Sequence, residues 1–124
     1  MKWGQNAGYG VRRPKQSSEK RRYQRIKMIL GIVCHRQDKP DVTIFTDDVS
    51  MGGLKFTSQD KMERDEELKI DLPVGLGRYK KVIGRVVWFR KGLINSYEGG
   101  VEFEDMDENI VRSWEKFIER NIVK

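Results

Sequence analysis

From Ile26 onward the hydrophobic positions recur with a period of two. Met28, Leu30, Ile32 and Cys34 alternate with Lys27, Ile29, Gly31, Val33 and His35, a run suited to one strand with both faces partly covered. Residues 38–41, with Pro40 among them, read as a turn. Alternation resumes at Val42, Ile44 and Thr46, is interrupted over residues 47–53, and returns at Leu54 and Phe56. Residues 59–67 mix acids and bases and predict a loop. Leu68, Ile70 and Leu72 then give a half-buried strand that Pro73 should end. Residues 74–78 suit a connecting loop; their Gly-x-Gly lacks the strand-to-helix setting of a phosphate-binding turn. Residues 80–91 are rich in β-formers (Val82, Ile83, Val86, Val87, Trp88, Phe89). Residues 97–103 place Val101 and Phe103 on one face, and Gly99–Gly100 mark a bulge or a close backbone approach.

The period changes only at the end of the chain. Ile110, Trp114, Phe117, Ile118 and Ile122 follow helical spacing, with Glu108, Arg112, Glu115, Lys116 and Glu119 mostly off that stripe. Asp107 stands at a natural N-cap, and Met106 before it can pack on Val111 as a hydrophobic staple. Several short strands followed by one amphipathic helix predict a mainly β fold: a small antiparallel barrel with the helix laid against it.

Residues 1–20 have no such pattern. Gly4, Gly8, Gly10, Pro14, Ser17 and Ser18 break any periodicity, so a flexible basic tail is expected there and a single domain over residues 21–124. The charge is concentrated near this tail. Residues 1–28 hold nine basic side chains and one acid, whereas residues 29–124 hold 16 basic and 18 acidic ones. A basic arm on a near-neutral body fits an anionic partner, although a merely solvated tail has the same composition. At 124 residues the chain is the size of one domain. No apolar run reaches the roughly 20 residues of a membrane span, and the N-terminus is too polar for a secretory signal. One cysteine and one histidine exclude a disulfide framework and a zinc-finger-type site. No resident cofactor, metal site or membrane insertion is expected, and a reducing cytoplasm is the expected compartment.

Catalytic chemistry finds little support. His35 lies in a strand-like run with no nucleophile beside it, and Cys34 falls on the apolar face as a small buried hydrophobe. The acid pairs Asp47–Asp48 and Glu66–Glu67 lack a spacing suited to acid–base work. No catalytic residue is assigned. Two short clusters stand apart instead. In Arg21-Arg22-Tyr23-Gln24-Arg25, Arg21 and Arg25 share a face in a strand or a helix, and Arg22 projects differently. Their planar forks match phosphate oxygens and the guanine O6/N7 edge. In Asp48-Val49-Ser50-Met51-Gly52-Gly53, an extended backbone points Asp48 and Ser50 the same way, and the glycines permit a tight turn or a close ligand approach. A carboxylate can accept from guanine N–H groups; a serine hydroxyl can bond a phosphate or brace the loop.

The pairing of the two clusters, Arg-x-x-x-Arg before the first strand and Asp-x-Ser-x-x-Gly after the second, resembles the double signature of the PilZ domain family. Arg21, Arg25, Asp48, Ser50 and Gly53 carry the resemblance. Leu54 and Phe56, residues 84–88, Gly100-Val101-Glu102-Phe103 and the closing helix extend it over roughly residues 20–122. It implies a six-stranded antiparallel barrel with a C-terminal α-helix and a non-enzymatic receptor for cyclic di-GMP. It further implies that Arg21 and Arg25 contact phosphates and guanine edges, with Arg22 assisting. Asp48 and Ser50 would hold a guanine from the barrel side, and Gly53 would keep that surface low. Lys20, just before the motif, occupies a position that influences whether one nucleotide or a stacked pair is held. The expected mechanism is ordering of a loose arm by the ligand, with a separate downstream protein partner receiving the signal. A nucleic-acid-binding β-barrel and an adaptor that binds only protein are the alternatives.

Overall fold

The computed structural model describes residues 24–122. Along the chain these form β1 (Ile26–Lys27), β2 (Gly31–Arg36), β3 (Val42–Ser50), β4 (Gly53–Ser58), β5 (Glu67–Gly75), β6 (Arg78–Lys91), β7 (Tyr97–Glu104) and α1 (Glu108–Asn121). Every pairing is antiparallel. The ring runs β2–β5–β6–β7–β4–β3 and closes from β3 back onto β2, so six strands make a barrel; the two-residue β1 adds to β3 outside that ring.

The inward positions are those of the apolar alternation. Ile32, Cys34, Ile44, Phe56, Leu68, Ile70, Leu72 and Val86 fill the barrel, and Trp114 and Ile118 of α1 join the same core. Cys34 is fully buried, and burial first, then the nearby Asp71 charge, pushes its thiol up to about 12. Helix α1 starts as its sequence predicts: the Asp107 carboxylate accepts from the Ile110 amide at 2.9 Å, and Met106 and Val111 both pack on the core. Glycines admit the large side chains. A Cβ on Gly99 would come within 2.5 Å of the Phe56 ring, which is the close approach expected of that glycine pair.

Four local expectations are corrected. The run from Ile26 to His35 is two strands, because Thr46 breaks it. The buried Thr46 hydroxyl donates to the Met28 carbonyl at 2.6 Å and accepts from the Leu30 amide at 2.8 Å, replacing ladder bonds across the bend. The second strand is not interrupted at Asp47; β3 continues to Ser50 through a bulge. Pro73 does not end its strand, since β5 runs on to Gly75. Pairing of β5 with β2 stops at Ile70, so Pro73 lies on an open edge where its missing N–H is not needed. Residues 74–78 are not a loop but the tip of the β5–β6 hairpin, with Gly75 paired to Arg78 and Gly77 at φ 68°, a left-handed conformation that favours glycine. Within the loop at residues 59–67, Met62 is an unexpected core residue, 1% exposed.

Candidate functional site

The bulge in β3 makes the site. Val42, Ile44 and Thr46 point inward, so unbroken alternation would carry Asp48 into the barrel. Thr46 pairs with Phe56 and Asp48 with Lys55, which leaves Asp47 as the extra residue and inverts the phase. Val49 takes the core position at 0% exposure, and Asp48 turns to the outer face. There the Arg25 guanidinium Nε donates to Asp48 Oδ1 at 2.5 Å. Half of the Arg25 side chain stays exposed, against 19% for Asp48.

Register places two more cations beside this pair. Lys27 of β1 and Lys55 of β4 lie directly opposite Asp48, one on each side. Residues directly opposite share a face. The same row continues across β7 and β6, where Lys55 pairs with Gly100 and Gly100 with Trp88. The Trp88 ring lies over Gly100 so closely that a Cβ there would be 2.2 Å from its Nε1, and the Arg90 guanidinium sits 5.3 Å from the ring centroid. One outer face thus carries Arg25, Lys27, Asp48, Lys55, Trp88 and Arg90. Such a face offers charge-assisted bonds to phosphates, an acceptor for a base edge and an aromatic surface. Lys27, Lys55 and Arg90 were not candidates from the sequence, because strand register alone brings them to Asp48 and Trp88.

Ser50 and Gly53 occupy a different environment. Ser50 is 4% exposed. Its hydroxyl accepts from the Gly52 amide at 3.2 Å and donates to the Gly53 carbonyl at 3.3 Å, bracing the β3–β4 turn. Its carbonyl accepts from Trp114 Nε1 at 2.9 Å, which ties the turn to α1. Gly53 is buried opposite Glu102, and a Cβ there would meet the Val101 carbonyl oxygen at 2.0 Å. The close packing of β4 on β7 therefore requires glycine. Arg21 and Arg22 lie outside the described residues, as does the tail of residues 1–20.

His35 is a joint between strands. Its Nε2 lies 2.9 Å from Asp71 Oδ2 and its Nδ1 3.1 Å from Asp41 Oδ2, with Lys81 Nζ 2.7 Å from Asp71 Oδ1. The bonds to Asp71, then Asp41, raise the imidazole above its ordinary 6.5. Burial alone would raise Asp71, but the bonds from Lys81 and His35 outweigh it and hold that carboxylate low. The stabilisation from charged His35 is complete below its unfolded value and is lost as pH rises through the raised folded value. As the single histidine of the chain, it gives an unambiguous proton NMR titration, with an expected midpoint above 6.5. A midpoint at or below 6.5 would contradict the carboxylate clamp. Among the described residues no group of three or more His, Cys, Asp or Glu side chains is placed to hold a metal ion. Nor is any described helix long and apolar enough to cross a membrane.

Comparison with known proteins places this architecture. The family model described as the PilZ domain matches residues 19–120. The chain belongs to the PilZ domain family. Its PilZ barrel is similar to that of the Escherichia coli YcgR PilZ domain with c-di-GMP (15% identity, TM-score 0.62, covering 81% of this chain and 89% of that one). It is also similar to E. coli YcgR in complex with c-di-GMP (14% identity, TM-score 0.63, 81% and 45% covered). A third similar structure is the Bacillus subtilis inhibitor of motility MotI/DgrA (14% identity, TM-score 0.58, 77% and 48% covered). The chain thus spans about half the length of MotI and of the longer YcgR chain. No curated protein sequence matches it.

Proposed function

We propose that this PilZ domain is a non-enzymatic cyclic di-GMP receptor acting in the cytoplasm, with its ligand on the outer face around Asp48. The observation that carries the reading is the Arg25–Asp48 pair, one residue from each signature cluster, joined at 2.5 Å on a face that also holds Lys27 and Lys55. Similarity to structures solved with c-di-GMP supports the choice of ligand. The two phosphates would draw Arg21, Arg22 and Arg25 onto the surface of residues 48–53 and order the arm. Asp48 would exchange its bond to Arg25, wholly or in part, for guanine N–H groups. Ser50 and Gly53 would contribute by shaping the turn under the ligand, and a downstream protein partner would read the ordered arm.

Isothermal titration with cyclic di-GMP tests the reading, and saturable binding with a salt-weakened affinity is expected. Asp48→Asn sharpens it. An amide cannot accept from two guanine donors at once, so affinity should fall by about 1–3 kcal/mol, the cost of leaving a polar group unpaired. Preference for the guanine over the adenine cyclic dinucleotide should fall with it. If Asp48→Asn binds both dinucleotides as the wild type does, Asp48 serves only the local backbone.

A further inference from the structure

The β5–β6 hairpin projects from the barrel at its tip. Pairing of β5 with β2 reaches no further than Ile70, and pairing of β6 with β7 begins only at Ile83. The strand segments between those points pair only with each other, and α1 packs along the β5 side. There the Arg120 guanidinium donates to the Val74 carbonyl at 3.2 Å and sets a positive charge against the hairpin. Leu72, Val74 and Val82 are buried, but Leu76 at the apex, between Gly75 and Gly77, is fully exposed. Tyr79, directly opposite Pro73, is 60% exposed. Residues 72–81 hold Arg78, Lys80 and Lys81 and no acid. Lys81 is held by Asp71, whereas no described acid is paired with Arg78 or Lys80.

A single exposed leucine is ordinary on a protein surface, but one at the apex of a narrow, cationic hairpin is matched to a particular surface. The tip offers far less than the roughly 800 Å² per partner of a stable protein interface. A bilayer makes no such demand on area. An apolar side chain enters the interface, a tyrosine settles at headgroup depth, and long basic side chains reach anionic headgroups. We propose that the β5–β6 tip docks the domain on an anionic phospholipid surface, with Leu76 below the headgroups and Arg78 and Lys80 among them. The contact is peripheral: nothing spans the bilayer, and the sequence-based expectation of no membrane insertion is revised at this one turn. It goes beyond the cyclic di-GMP reading and does not depend on it. The β6–β7 turn supplies an internal comparison. Leu93 and Ile94 there are also exposed, but they lie at the far end of the 14-residue β6, where Arg90 is paired with Glu98.

The test uses the full chain without cyclic di-GMP and two kinds of vesicle, phosphatidylcholine alone and phosphatidylcholine with phosphatidylglycerol in about equal parts. The basic N-terminal residues are attracted to the second kind by charge alone, so a position-specific readout is required. Leu76→Cys and Ile94→Cys are each labelled with an environment-sensitive nitrobenzoxadiazole dye. The native Cys34 stays unlabelled, being fully buried with its thiol pushed up to about 12. Dye at residue 76 should brighten and shift to the blue on phosphatidylglycerol vesicles only, and dye at residue 94 should stay aqueous. Sedimentation of unlabelled variants gives the energetics. Leu76→Gln should lower vesicle partitioning by about five- to tenfold, the value of partly burying one leucine. Arg78→Glu with Lys80→Glu should lower it by about 30-fold or more, at about fivefold per cation lost. Added salt should weaken the wild type. All these positions are on an exposed hairpin, and a thermal melt of each variant verifies the fold. The proposal is overturned if phosphatidylglycerol vesicles do not bind the wild type, or if dye at residue 76 stays aqueous on them. It is overturned equally if residue 94 responds in its place, or if Leu76→Gln partitions as the wild type does, which would leave charge as the whole attraction.

Discussion

Replacing Arg21 and Arg25 together by alanine is expected to abolish measurable cyclic di-GMP binding while leaving the barrel folded. Each guanidinium would make charge-assisted bonds to a phosphate or a guanine edge, worth about 1.5–3 kcal/mol apiece. Losing both should lower affinity by roughly two to four orders of magnitude, since about 1.4 kcal/mol is tenfold. The cost to folding is small. Arg25 is half exposed, and its pair with Asp48 is of the kind that contributes no more than about 1 kcal/mol to stability. Calorimetric titration beside a thermal melt checks both halves of the expectation. Each single variant should show an intermediate loss. Wild-type affinity in both would place the ligand elsewhere on the barrel.

Gly53→Ala is expected to have the opposite profile, with a large loss of stability and binding lost only as a consequence. The added Cβ would lie 2.0 Å from the Val101 carbonyl oxygen, 3.1 Å from its carbon and 3.2 Å from the Glu102 Cα. All three are backbone atoms of the paired strand and cannot rotate away. β4 and β7 would have to part where their pairing starts, at Gly53 and Glu102. The cost should reach or exceed the upper end of the ~1–3 kcal/mol typical of overpacked sites. That corresponds to a fall in Tm of roughly 10 °C or more. A variant that melts with the wild type would show that the strands can give way there. The contrast with the arginines matters for reading any mutational series on this family signature. Loss of binding at Gly53 reports on the sheet, and loss of binding at Arg25 reports on the ligand.

Ser50 makes the same point inside the same motif. Its residue type suits both a phosphate contact and a braced turn, and no local pattern distinguishes them. In the folded chain its hydroxyl is engaged by Gly52 and Gly53 and its carbonyl by Trp114, 64 residues away. The burial of Ser50 is set by packing across the barrel, which the motif alone does not carry.

What the sequence by itself determined is what depends on near neighbours along the chain. Strand alternation, the Asp107 cap and the stripe of α1 are all local, and they identify the strands and the helix but not where each strand bends, bulges or ends; the chemistry of the two signature clusters is local as well. A two-residue period also identifies which side chains share a face within one strand. It does not say how strands are phased against one another. That phase is set by pairings between distant segments, and one extra residue inverts every position beyond it. The Asp47 bulge is such a residue, and it alone moves Asp48 from a core-facing to an outward position. Thr46 bends the first run because its hydroxyl meets Met28 and Leu30 across the sheet. Pro73 stays in its strand because β2 has already left that edge. Lys27 and Lys55 flank Asp48 only through register with β1 and β4. The candidate residues were therefore written in short segments of the chain, whereas the meeting of Arg25 with Asp48, and the burial of Ser50 and Gly53 in the turn, required the closed barrel.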